Sequence, residues 1–258
     1  MKLLFLIPIL LITSIGYGQN KIWLIGTAHE KNNYINPDTL TAALNKIKPD
    51  LILIELEEKH FDKDYNFNTS KYSINDYLTT NENIASYKYK QQRGTQLRPF
   101  DINGRHDFYE KENYQVKENN MFKEMLDFYK SNKLSEDCKV DFEILLLALS
   151  SYSSLKFNSL KESNSDVATK FLALKNKINF ELMISIAKRT KDLEKWVSFA
   201  ELRKNYWNKR NKIMTENIIK YAKEFKGKRI VVFVGNDHKY ALVEMLKENN
   251  FEIKNSYD

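Results

Sequence analysis

A chain of 258 residues, 42% apolar and 29% charged, with a formal net charge of +7, is long enough for one α/β domain with a buried core. It is too apolar to be disordered, and seven glycines and four prolines exclude collagen-like, linker-like and turn-rich all-β architectures. The one cysteine, Cys138, excludes a disulfide framework and any CxxC zinc or redox motif, and the apolar run after it suits a packed thiol.

Residues 1–18 read as a secretory signal peptide. Lys2 precedes the apolar run Leu3 to Ile15, and the small residues of Gly16-Tyr17-Gly18 follow it directly. That run is shorter than the roughly 20 residues that span a bilayer, and no later stretch is long and apolar enough. The expected product is an exported chain, periplasmic or extracellular, starting at Gln19 and without an integral membrane segment. Its cationic side chains are scattered among acids, and no nucleic-acid motif accompanies Lys88, Lys90, Arg93 and Arg98. A solvated surface is expected rather than a nucleic-acid partner.

In the mature chain the apolar run Ile22-Trp23-Leu24-Ile25 stops at Gly26-Thr27-Ala28-His29. Asn36-Pro37 makes a helix start, and Leu40, Ala43, Leu44 and Ile47 form one apolar helical face. Pro49-Asp50 breaks that helix ahead of a second continuous run, Leu51 to Leu56, which contains Glu55. Continuous runs joined by a short helix predict buried parallel strands. Residues 58–95 are polar and lack periodicity, which predicts a surface excursion with one weak helix near 74–90. Leu97 to Ile102 predicts a short strand that Pro99 restricts to an edge. From about 104 to 225 the pattern is helical, with breaks at Ser131-Asn132, Ser163-Asn164 and Thr190-Lys191. Arg229 to Val234 predicts the third strong strand, ending at Gly235-Asn236-Asp237-His238; a short helix and a strand near Phe251–Ile253 close the chain. The expectation is one α/β domain over 19–258, with a mostly parallel sheet built from both chain ends and the helical insertion (about 104–225) packed as a cap.

His29, Glu55 and His238 each sit at the end of one of the best strands, where open parallel sheets bind ligands. Asp101, ending the fourth strand, can join them. Two histidines and a carboxylate form a ligand set for a divalent ion such as Mn, Co or Zn, and a carboxylate within a Leu/Ile run needs a partner. Trp207, Asn211, Met214, Ile218, Tyr221 and Phe225 share one helical face, bordered by Arg210. That arginine can bind a substrate carboxylate, stabilise an oxyanion or pair with Glu55. His106 is a secondary candidate; His60, Glu57 and Glu58 read as solvated loop.

Four segments in this order resemble the TraB/GumN family: Gly26-Thr27-Ala28-His29; Pro49-Asp50-Leu51 leading into Ile54-Glu55; Arg210-Asn211 on a late helix; and Val234-Gly235-Asn236-Asp237-His238. That family groups with the Tiki proteins, and more distantly with the erythromycin-esterase and ChaN-like proteins. The resemblance covers about 21–57 and 203–253. It implies an α/β core with a helical insertion and, from the Tiki branch, a metal-dependent protease activity placed on His29, Glu55, Arg210, Asn211 and His238. The chain departs from the family at Asn236-Asp237 and Lys239-Tyr240-Ala241, where small residues and another glycine are usual, so that Asp237 is a possible added ligand.

The leading expectation is therefore an exported metal-dependent hydrolase acting on a peptide bond. His29 and His238 would hold the ion, with Glu55 as ligand or base and Arg210 and Asn211 as substrate-positioning groups. The alternative is a non-catalytic protein that sequesters a peptide or small molecule in the same crevice. Haem or iron binding, as in ChaN-like relatives, is a third reading. Neither a Walker A sequence nor GxGxxG after a strand is present.

Overall fold

The computed structural model describes residues 20–28 and 31–254; residues 1–18, where a signal peptide is expected, Gln19 and His29 lie outside the described residues. The apolar runs form β1 (Lys21–Thr27), β2 (Leu51–Ile54), β3 (Gln96–Pro99), β4 (Arg229–Gly235) and β5 (Ile253–Lys254). All pairings are parallel, in the order β3-β2-β4-β1-β5. The sheet thus draws on both chain ends, as expected, and β3 with its Pro99 lies at an edge. β4, supplied by the C-terminal end, inserts between β1 and β2. The two opening strands are therefore never neighbours, and the fold closes only when the last quarter of the chain is in place.

Side chains alternate across the sheet, and both faces are covered, which is why the runs are continuously apolar. On one face Ile25, Ile52, Ile54, Val231 and Phe233 pack under α1 (Pro37–Ile47). Helix α1 starts as its sequence implies: the Asn36 side chain accepts from the Asp38 and Thr39 amides, and Pro37 occupies the first turn. On the other face Ile22, Leu24, Leu51, Leu53, Val232 and Val234 meet α9 (Val197–Glu224) and α10 (Asn236–Glu248).

Residues 58–95 differ from expectation. They form α2 (Ile74–Tyr77) and α3 (Asn81–Arg93), and α3 packs on α1. Phe61, Phe67, Tyr77, Ala85 and Tyr89 are buried in the sheet's first core rather than exposed. Aromatic residues scattered without a period complete the cover of β2 and β3. Among the polar residues there, Asn81 Nδ2 donates to the Ala28 carbonyl at 2.8 Å and Asn83 Nδ2 to that of Tyr77 at 2.9 Å.

The helical middle comprises α4 (Arg105–Lys111), α5 (Tyr114–Lys130), α6 (Glu136–Ser154), α7 (Leu160–Ser163), α8 (Asp166–Arg189) and then α9. It has a core of its own, built on Met121, Met125, Phe142, Leu145, Met183 and Ile186, with Cys138 fully buried in it. Helix α9 joins this core to the sheet. Its 28 residues reach about 42 Å at 1.5 Å per residue. Phe199 and Ala200 near its start belong to the cap core, whereas Met214, Ile218, Tyr221 and Ala222 belong to the sheet core. Its middle turns, Arg203 to Asn211, pass between the two. No described helix is long and apolar enough to cross a membrane.

A shared helix predicts shared unfolding. Phe142→Ala in the cap core and Ile218→Ala in the sheet core should each cost about 2–5 kcal/mol and lower one common thermal transition. Calorimetry that resolves two transitions, each responding to only one substitution, would refute the coupling through α9.

Candidate active site

The carboxyl ends of β2, β3 and β4 bring Glu55, Asp101 and His238 to one place, and α9 delivers Arg210 into their midst. All four are buried. Arg210 Nε and Nη2 donate to the two oxygens of Asp101 at 2.8 and 2.9 Å, and Nη2 also donates to Glu55 Oε1 at 2.5 Å. Nη1 donates to His238 Nε2 at 2.9 Å. Four of the five guanidinium N–H groups are thereby engaged. Burial alone would pull the Arg210 pKa down, but Glu55 and Asp101 outweigh it and hold the value above that of an ordinary arginine.

The arginine also sets the state of the histidine. Because a guanidinium only donates, His238 Nε2 is an acceptor and the ring proton lies on Nδ1, which donates to Asn211 Oδ1 at 2.6 Å. Trp207, one turn earlier on α9, stacks on the imidazole with centroids 3.9 Å apart and planes 16° from parallel. Glu55 is fixed at its other oxygen, where Oε2 accepts from the Gly235 amide at 2.6 Å. Arg105, at the start of α4, reaches Asp101 Oδ2 at 2.8 Å and lies 3.9 Å from Glu55 Oε1, with 29% of its side chain exposed.

These groups floor a cleft of about 430 Å³ whose walls include Tyr34, Tyr109, Tyr152 and Trp207. Burial raises the Tyr109 and Tyr152 phenols above the ordinary tyrosine value, so both rings face the cleft as neutral donors. Lys175 and Asp237, paired at 2.7 Å, form one rim.

Among the described residues, no group of three or more His, Cys, Asp or Glu side chains is arranged to hold a metal ion. An imidazole nitrogen carries one lone pair, and that of His238 Nε2 accepts from Arg210. Glu55 Oε1 faces the same guanidinium. The described members of the expected ligand set therefore do not fit a metal centre while Arg210 stands between them.

The structure brings together Glu55, Asp101, Arg210, Asn211 and His238 of the sequence candidates. It leaves His106 exposed beside Glu110 at 3.1 Å, and His60 half-buried against Tyr72 and Tyr77. Glu57 is a correction: rather than solvated, it is 2% exposed. It accepts from the Gly104 amide at 2.7 Å and the His106 amide at 3.4 Å, capping the start of α4 and so setting where Arg105 lies. The i,i+4 spacing of Asp101 and Arg105 was the available signal for the latter.

A second buried network went unnoticed in the sequence. Lys239 Nζ donates to the carbonyl and the side-chain oxygen of Asn164, both at 2.8 Å. The Asn164 side chain in turn exchanges two hydrogen bonds with the Gly26 backbone, 2.7 and 3.0 Å, and so clips the end of β1 to α7 and α10. A Cβ at Gly26 would run into the Asn236 side chain and crowd that of Asn164, so any larger residue there would have to displace Asn236. No protein-family model matches the chain, and neither a curated protein nor a solved structure matches it.

Lys239 gives a pH dependence of known sign. Burial pulls its pKa from the ordinary 10.5 to about 8, with Asp166 opposing only in part. Between those values the unfolded chain binds a proton that the folded chain does not, so stability rises with pH from about 8 upward. The rise should disappear in Lys239→Met. Denaturant unfolding of both proteins from pH 7.5 to 10 checks this, and parallel profiles would contradict it.

Proposed function

We propose that the chain is a hydrolase that cleaves an amide or ester bond at the strand-end cleft, with Glu55 as the base. The observation that carries this reading is the state of the Glu55 carboxylate: it lines the cleft and is held at both oxygens by Arg210 and Gly235. A carboxylate has about four acceptor sites, so two remain to orient and deprotonate a water molecule. The water oxygen bonds to the substrate carbonyl carbon and its proton passes to Glu55. The bond to the leaving nitrogen or oxygen then breaks, and Glu55 returns the proton to the leaving group. Arg105, partly exposed and 3.9 Å from Glu55, supplies positive charge for the developing oxyanion.

In this scheme Arg210, Asn211 and His238 are positioning residues. Arg210 donates to Glu55 and His238, and His238 donates to Asn211 Oδ1, so the three hold the carboxylate in place. The resemblance to the TraB/GumN family supports a hydrolytic role, and the signal-peptide pattern of residues 1–18 supports an exported location. No step runs through a metal.

A second reading, ligand sequestration without chemistry, is favoured by one observation: Arg210 is already held by Glu55, Asp101 and His238. In that case the cleft binds through Arg105, Lys175 and the aromatic walls alone.

The two readings part at Glu55→Gln. A glutamine keeps one acceptor bond but has no basic oxygen, so turnover of a responsive peptide or ester should fall about 10²–10⁴-fold while the protein stays folded. Turnover of the unmodified protein should also survive a chelator. Undiminished turnover in Glu55→Gln would remove the base from the scheme. Stoichiometric metal, lost together with activity on chelation, would restore the metal-dependent form.

A further inference from the structure

The cleft has a second compartment of about 430 Å³ that the hydrolytic scheme does not use. It lies between α4, α5, α8 and α9 and shares Tyr109, Lys175, Trp207 and Asp237 with the first, so the two open into one another.

Three properties of its lining define what it can hold. Its ionisable carboxylate and cationic groups are matched among themselves: Arg203 with Glu118 at 2.5 Å, Lys175 with Asp237 at 2.7 Å and His106 with Glu110 at 3.1 Å. A charged ligand would have to break one of these pairs. Its walls carry the flat rings of Tyr109, Tyr114, Phe180 and Trp207, with Tyr109 and Tyr114 centroids 4.8 Å apart and Phe180 and Trp207 centroids 5.7 Å apart. Its uncharged polar groups are amides and the Tyr109 and Tyr114 hydroxyls; Asn176 is anchored on the Asp237 carbonyl at 3.0 Å, and the side chain of the half-buried Asn179 makes no hydrogen bond among the described residues.

Every lining residue belongs to a helix or a helix cap, and the sheet edges at β3 and β5 lie elsewhere. The compartment offers no open strand edge with which an extended peptide could pair. Flat apolar faces combined with neutral side-chain donors and acceptors match a ring that is apolar on its face and hydroxylated around its rim. We infer that the second compartment binds a neutral sugar unit, stacked on the aromatic walls and held by Asn179 and Asn176. The inference concerns binding and stands whether or not Glu55 is a base. If both hold, the scissile bond lies next to a neutral glycosyl group.

Calorimetric titration of the full chain with maltotriose, cellotriose and tri-N-acetylglucosamine, and with trigalacturonic acid and trialanine as contrasts, tests it. At least one neutral trisaccharide should bind with a Kd of about 1 mM and be preferred over both contrasts. Asn179→Ala should weaken that binding about tenfold at an unchanged melting temperature. Trp207→Phe should abolish the accompanying change in tryptophan emission. Failure of all three neutral sugars at millimolar concentration, preference for the charged or peptide contrast, or equal affinity in Asn179→Ala would each overturn the assignment. Because no turnover is read, these outcomes are independent of the fate of Glu55.

Discussion

One guanidinium holds the centre of this molecule. Arg210 is the shared partner of two carboxylates and an imidazole that arrive from the ends of three different strands. Buried carboxylates cannot persist without compensation, and here one side chain, on a helix that also belongs to the cap, serves both, while Arg105 adds an ion pair to Asp101 and the Gly235 amide a hydrogen bond to Glu55. The position of α9 along its own axis is therefore tied to the sheet by charge as well as by packing. The same contact makes His238 neutral at Nε2 and fixes which of its nitrogens carries the proton.

The topology explains why so much depends on one contact. Since β4 lies between β1 and β2, the middle strand comes from a segment about two hundred residues away from both its neighbours. The long helical middle must leave the sheet after β3 and return to it through α9. Where it returns, the chain passes over the strand ends, and the cleft forms between the two cores. Glu57, Lys239 and Asn164 then fasten the pieces that border it: the start of α4, the start of α10 and the end of β1. Arg105 and the aromatic walls owe their positions to these fastenings rather than to their own local sequence.

Much of this was legible in advance, for identifiable reasons. Doubly covered strands require unbroken apolar runs, and these stood out at 22–25, 51–54 and 230–234. Glu55 was visible because it interrupts such a run, and Asp101, Arg210, Asn211 and His238 because strand ends and helical spacing placed them. What could not be read was burial created by distant partners. Glu57 looks like a loop acid until the Gly104 amide meets it, and Lys239 looks like a surface lysine until Asn164 covers it. The aromatic residues of 58–95 have no period because they fill gaps over β2 and β3 rather than line one side of an element. Pairing with Glu55 is one of three roles that the sequence allows Arg210; that the same arginine also takes Asp101 and His238 is beyond what spacing shows.

The claim on which the rest stands is that Arg210 and its carboxylates are energetically coupled across the strand ends. A double-mutant cycle on Arg210→Met and Asp101→Leu, read as unfolding free energy in denaturant, measures it directly. Each single substitution removes one partner of a buried ion pair and should cost about 3–5 kcal/mol. The double variant should cost less than their sum by about 2 kcal/mol or more, because the Arg210–Asp101 pair is lost only once, although Glu55 stays without Arg210 in the double variant as in Arg210→Met. Additive losses would mean that Arg210 and Asp101 do not depend on one another, and would contradict the account.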